Sequence, residues 1–266
     1  MQKYGYANQR PILFPNHNIA LLLTGRAGST FAMKWYMHQN KMESEYPRWI
    51  HNHRNKVILP SEWHGQRCEE LANGAEFTMV RFTRNPFNRA VSSYLHSIRN
   101  PPVFTPIVDY YDMPADSTKT YTFVEFLNYL AQVGPTRVNQ HLGLQANFLE
   151  SIHELDAFCR IEDGLDGLNA FERTLGLDEV SGSEYVELRA SGHHIDYAQN
   201  PDSSVPNMRF GLGERKVPYP SPDRFYDEQT EPMVREIFAE DFERFGYSTA
   251  LPDLRPKQRV SEQPKA

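Results

Sequence analysis

Leu21-Leu22-Leu23-Thr24-Gly25-Arg26-Ala27-Gly28-Ser29-Thr30-Phe31 carries an apolar run into a short glycine-containing turn and then into a helix start. A short apolar run bounded by a turn signal reads as a buried strand. The residues after Gly28 read as the first turn of a helix. A helix N-terminus leaves backbone N–H groups unpaired, and these groups together with the helix dipole attract an anion. Gly25 and Gly28 allow the positive φ angles and close backbone approach such a loop needs. Arg26 adds a fixed positive charge, and Ser29 and Thr30 add hydroxyl groups that donate or cap.

A second stretch has the same grammar. Phe77-Thr78-Met79-Val80-Arg81-Phe82-Thr83 reads as a strand ending on Arg84. Pro86 then opens a helix at the position where its missing N–H is not needed. Ser92 lies eight residues after Arg84, two turns along that helix. One element therefore offers a helix N-terminus to one phosphate, and the other offers an Arg and a Ser to a different one. A nucleoside with phosphates at both ends fits this pair better than ATP does.

The nucleoside-triphosphatase pattern G-x-x-x-x-G-K-[ST] does not match the first loop, which has no Lys before Ser29-Thr30 and has Gly25 and Gly28 too close together. The second strand ends in Thr83-Arg84-Asn85, where a magnesium-binding Asp would be wanted. A cation there neutralises phosphate directly.

These residues resemble the sulfotransferases of the carbohydrate type (sulfotransferase family 2) that use 3′-phosphoadenosine 5′-phosphosulfate. The first loop is similar to their 5′-phosphosulfate loop, with Arg26 where many members have Lys. Val80-Arg81-Phe82-Thr83-Arg84-Asn85-Pro86-Phe87-Asn88-Arg89-Ala90-Val91-Ser92-Ser93-Tyr94 is similar to their 3′-phosphate motif, and Arg84 and Ser92 fall on its two phosphate-binding positions. Phe158-Cys159-Arg160-Ile161-Glu162-Asp163 resembles their late strand with its acidic end, and Met233 to Tyr247 their closing helix.

The resemblance implies transfer of a sulfuryl group to an acceptor hydroxyl, most naturally of a saccharide, by in-line displacement, with 3′,5′-ADP as the other product and no metal. It places the donor on Arg26, Ala27, Gly28, Ser29, Thr30, Arg84 and Ser92. Arg26, Arg81, Arg84 and Arg89 would form a local basic site. Arg26 would also face the charge growing on the leaving oxygen. The general base would come from the His-x-His pair His51 and His53. His141, followed by Gln145, is the next candidate, ahead of His96 and Glu62. Arg215-Lys216, Tyr219 and Tyr226 suit a cover over the adenosine, and Tyr110 and Tyr111 suit a sugar ring. Two alternatives stay open: an ATP- and magnesium-dependent kinase, and a nucleotide-binding interaction module without catalysis.

Composition agrees with one enzyme-sized unit. The chain has 266 residues, 39% of them hydrophobic, and 19 prolines that imply many loops. Its net charge of −6 gives no global attraction to nucleic acid or to an anionic membrane. Ile19 to Leu23 is far shorter than the ~20 apolar residues that span a bilayer. Cys68 and Cys159, the two cysteines, have no zinc-like spacing and read as free thiols of a reducing, cytoplasmic compartment. His193-His194 lacks partners at ligand spacing.

Strands alternate with helices. Residues 1–17 read as an extended lead-in. Strands are expected at 19–24, 56–59, 76–83 and 157–161. Helices are expected at 29–40, 62–72, 86–98, along the stripe Phe123, Phe126, Leu127 and Leu130, at 163–175 and at 231–245. Loops are expected at 101–121 and 191–222. This alternation predicts an α/β, P-loop-like three-layer fold, a mostly parallel central sheet flanked by helices, with ligand at the carboxyl ends of the strands. Residues 1–249 are expected to form a single domain and 250–266 a disordered tail.

Overall fold

The computed structural model describes residues 10–42, 50–113, 121–146, 150, 154–190, 205–210 and 219–254. Four strands form its sheet: β1 (Ile12–Leu13), β2 (Ile19–Leu22), β3 (Thr78–Thr83) and β4 (Ala157–Arg160), in that spatial order. β2, β3 and β4 run parallel, and β1 is antiparallel to β2. The fold is thus α/β with a mostly parallel sheet, as the alternation predicts. β2 is buried along its whole length, the pattern of a strand covered on both faces.

Side chains alternate across the sheet. Ile19, Leu21, Val80, Phe82 and Cys159 face one layer, built from α1 (Ser29–Gln39) and α7 (Gly164–Thr174). Leu13, Ala20, Leu22 and Met79 face the other, with Cys68 and Leu71 of α3 (Glu62–Ala72). A third cluster joins α4 (Pro86–Ser97), α5 (Pro101–Tyr110), α6 (Phe123–Val133), α9 (Thr230–Ile237) and α10 (Ala239–Arg244). Leu251 and Leu254 also pack on it, so the packed chain extends past residue 249; residues 255–266 lie outside the described residues.

Several expectations are corrected. Residues 56–59 are not a strand: α2 (Ile50–His53) runs on as a π-helical turn, Arg54–Ile58, in which Leu59 N–H donates to Arg54 O at 2.9 Å. The short run Val57-Ile58-Leu59 buries Ile58 but leaves Val57 half exposed, and so short a run does not distinguish the two periods. Residues 101–110 are not a loop but α5. Pro101 and Pro102 occupy its first turn, where no N–H is required. Val103 and Ile107, four apart, bury one face, and Pro106 forgoes one internal bond. The expected last helix is two, because Phe238 leaves helical geometry (φ −109°, ψ 25°) and buries its ring before α10 starts. The helix α8 (Gly182–Arg189) was not anticipated, although its capping box, Ser181 with Glu184, is present in the sequence.

Candidate functional site

The two strand–turn–helix stretches meet at the carboxyl ends of β2 and β3, where parallel α/β sheets place their ligands. Between β2 and α1 the chain turns at Thr24–Gly28. The positive φ angles belong to Arg26 (66°) and Gly28 (81°), not to Gly25. Gly25 is needed for space instead: a Cβ there would lie 2.3 Å from Nδ1 of His141. Gly28 is the N-cap of α1 and no side chain caps the helix, so neither Ser29 nor Thr30 has the capping role the sequence allowed. The first-turn N–H groups keep their orphan character. The Ala27 N–H donates to Thr24 O at 3.3 Å.

Arg26 crosses from this loop to α4. Its Nε and Nη2 donate to Oγ of Ser92 at 3.0 and 2.7 Å. Arg84, just past β3, donates from Nη1 to the carbonyl of Arg26 at 3.4 Å. The structure therefore brings Arg26 to Arg84 and Ser92, 58 and 66 positions further along the chain, in one cluster. Arg26 and Arg84 are half-buried and Ser92 is buried.

The other two arginines of the expected basic site are not part of it. Arg81 is fully buried, paired to Glu150 at 2.7 Å, with Arg244 on the other carboxylate oxygen at 2.6 Å. Arg89 is 1% exposed and donates to carbonyls of Gly25 (3.3 Å), Gln140 (3.4 Å) and Gly143. Burial lowers both guanidinium pKa values to about 10, still charged at neutral pH. These two charges hold backbone together.

Histidines border the loop. His51, on α2, lies 3.2 Å from Oγ1 of Thr30 through Nε2, so the Thr30 hydroxyl joins the expected base to the expected donor loop. His53 is two residues further along the helix, half-buried. His141 packs its ring on His96, centroids 4.7 Å apart, and its Nδ1 is buried without a hydrogen-bond partner. Burial first, then the charges of Arg26 and Arg89, hold its pKa down to about 4. Folding thus takes this imidazole from its ordinary 6.5 to about 4, and between those values the unfolded chain binds more protons. Stability from this group is complete above pH 6.5 and is lost as the pH falls towards 4, on the order of 3 kcal/mol in all. Thermal melts of His141→Gln are expected to show a shallower loss over that window than the parent; an identical slope would contradict the assignment.

Residues outside the motifs brace the cluster. Gln145, fully buried, bonds through its side chain to the backbone N–H and C=O of Arg84, both at 2.8 Å. Its own N–H donates to Asp241 of α10 at 2.8 Å, and its carbonyl accepts from Thr24 Oγ1 at 2.9 Å. Glu162, past β4, accepts from Asn85 N–H at 2.8 Å and from Tyr247 Oη at 3.2 Å. Burial raises its carboxyl above the usual range, against the hydrogen bond from Asn85 and the charge of Arg84. The late strand's acidic end and the closing helix thus both touch this region.

Tyr219 and Tyr226 do not form a nucleoside cover. Both are buried, Tyr226 with its hydroxyl on Phe87 O at 2.6 Å and Tyr219 edge-on to Phe210. Tyr111 donates to Glu125 O at 2.7 Å, and Tyr110 is 46% exposed at the end of α5. Arg215-Lys216 and His193-His194 lie outside the described residues. Both cysteines are free, and burial pushes Cys159 up to about 12. Among the described residues no helix is long and apolar enough to cross a membrane, and no group of three His, Cys, Asp or Glu side chains is placed to hold a metal ion.

A model of the sulfotransferase family matches residues 9–248. Neither the curated proteins nor the solved structures contain a match to the chain.

Proposed function

The chain belongs to the sulfotransferase family, and from that premise we propose that it transfers a sulfuryl group from 3′-phosphoadenosine 5′-phosphosulfate to an acceptor hydroxyl, that of a saccharide. The observation that carries the donor assignment is the convergence of Arg26, Arg84 and Ser92 beside an uncapped helix N-terminus. That donor set fits a ligand with phosphate at both ends of a nucleoside: fixed guanidinium charge, a hydroxyl and orphan N–H groups. The donor would supply an activated sulfuryl group on a phosphate leaving group. The saccharide acceptor rests on the likeness of the two phosphate motifs to the carbohydrate-type members.

In this reading Arg84 and Ser92 hold the 3′-phosphate. The first turn of α1, with Gly28, Ser29 and Thr30, holds the 5′ end, and Ala27 shapes the turn. Arg26, anchored on Ser92, keeps a permanent positive charge where negative charge must be stabilised. His51 takes the proton of the acceptor hydroxyl, oriented by Thr30. Its contact with the Thr30 hydroxyl at 3.2 Å favours His51, and burial holds His141 near 4, low for a base at neutral pH.

Calorimetry of 3′,5′-ADP against ADP in EDTA tests the donor site, and transfer to saccharide, phenol and simple alcohol acceptors tests the activity. The expected result is tight, metal-independent binding of 3′,5′-ADP with little binding of ADP, and sulfated saccharide. Equal binding, or binding that needs magnesium, would overturn the reading in favour of a kinase-like one. Tight 3′,5′-ADP binding without transfer to any acceptor would leave a nucleotide-binding module.

A further inference from the structure

We infer that Gln145 is a positioning residue that sets Arg84 in place for the 3′-phosphate before any ligand arrives. The inference rests on the assignment of Arg84 above. Arg84 lies one residue beyond the last ladder pair of β3, Thr83 with Arg160, so neither neighbouring strand offers its backbone a ladder partner. The Gln145 side-chain amide takes that role. Its Oε1 accepts from Arg84 N–H and its Nε2 donates to Arg84 C=O, each at 2.8 Å, the two bonds a strand would make.

The amide can occupy this place in one orientation only, because the backbone supplies one donor and one acceptor. Gln145 is itself held on every side. Asp241 accepts from its backbone N–H and, at 3.4 Å, from its Nε2, while Thr24 and Arg81 donate to its carbonyl. Thr24 opens the Arg26 loop, so one buried residue fixes the spacing between the loop for the 5′ end and the arginine for the 3′ end. The next peptide is fixed too: Asn85 N–H donates to Glu162, and Asn85 Oδ1 caps α4 through Phe87 N–H at 3.0 Å. A guanidinium on so constrained a backbone loses little freedom on binding, which favours affinity and selectivity.

The test compares 3′,5′-ADP with 5′-AMP, which differ only in the 3′-phosphate, by calorimetry on the full chain. Gln145→Met keeps the volume and removes both bonds to Arg84. It is expected to cut the preference for 3′,5′-ADP about tenfold or more, with 5′-AMP affinity changed by less than about threefold. Gln145→Glu keeps the shape and the acceptor but not the donor, and is expected to cut the preference as well. A folded variant, judged by near-ultraviolet circular dichroism, that retains the full preference, or weakens both ligands equally as a merely structural role would, overturns the inference. Hydrogen exchange on the parent protein decides the matter even if neither variant folds. The Arg84 amide is expected to be protected without ligand and unchanged by 3′,5′-ADP; protection appearing only with the ligand overturns the inference. A parent protein with no preference for 3′,5′-ADP instead overturns the Arg84 assignment itself.

Discussion

Replacing Arg84 with alanine is expected to weaken 3′,5′-ADP by about 100-fold while changing ADP by less than about threefold, because a hydrogen bond to a charged group is worth ~1.5–3 kcal/mol and a guanidinium can offer two of them to one phosphate. The selectivity of the loss follows from the fold. In the proposed reading Arg84, just past β3, and Ser92 of α4 serve the 3′-phosphate, and the N-terminus of α1 serves the 5′ end. ADP lacks the 3′-phosphate and has nothing to lose at Arg84. Arg84→Lys keeps the charge but not the fork, and is expected to fall between, at about tenfold. Calorimetry in EDTA reads these values directly. Equal losses for both nucleotides would place Arg84 at the 5′ end or outside the site.

The second large effect is expected at His51. His51→Ala should lower kcat by about 10²- to 10⁴-fold, the usual contribution of a positioned base, and leave the affinity for 3′,5′-ADP within about twofold. The affinity is largely spared because Arg26, Arg84 and Ser92 contact one another, while the contact of His51 with Thr30 touches one hydroxyl at the 5′ end. The two histidines of the His-x-His pair are separated by the helix. Residues two apart on a helix do not share a face, and His51 is on the face that meets Thr30. His53→Ala is therefore expected to keep kcat within about threefold. Single-turnover assays with saturating donor separate the chemical step from binding. Loss of transfer in His141→Ala with full activity in His51→Ala would move the base to His141.

Much of this was legible in the sequence because it is local. The strand at Leu21-Leu22-Leu23 and the helix after Gly28 follow from an apolar run, a turn and a helix start within a dozen residues. Pro86 announced α4, and Gly176, with φ 66°, stopped α7 as its type allows. The residues proposed for phosphate are local in the same way: Arg84 and Ser92 share one short motif, and Arg26 sits in one short loop. What misled was also local. Prolines at 101, 102 and 106 suggested a loop because composition does not show that the first two would fall at N-terminal helix positions.

The four arginines around the motifs show where such reading stops. All four carry the same charge in the sequence. Arg81 points to the Glu150 side of β3, and Arg89 turns into carbonyls of the Gly25 loop and residues 140–143; both become buried ties. Arg26 and Arg84 stay half-buried and in contact at the carboxyl ends of β2 and β3. Which of these happens depends on strand alternation and on helix phase relative to a packed neighbour, neither of which a motif records.

By itself, then, the sequence determined the α/β alternation, the two βα turns and the residue types those turns carry, because each depends on neighbours within a few turns of chain. Tertiary structure alone decided that Arg26 lies on Ser92, that Thr30 meets His51, and that Gln145 and Asp241 hold the end of β3. Those contacts join residues 21 to 96 positions apart, and a buried polar group takes whichever partner the packed chain brings within reach.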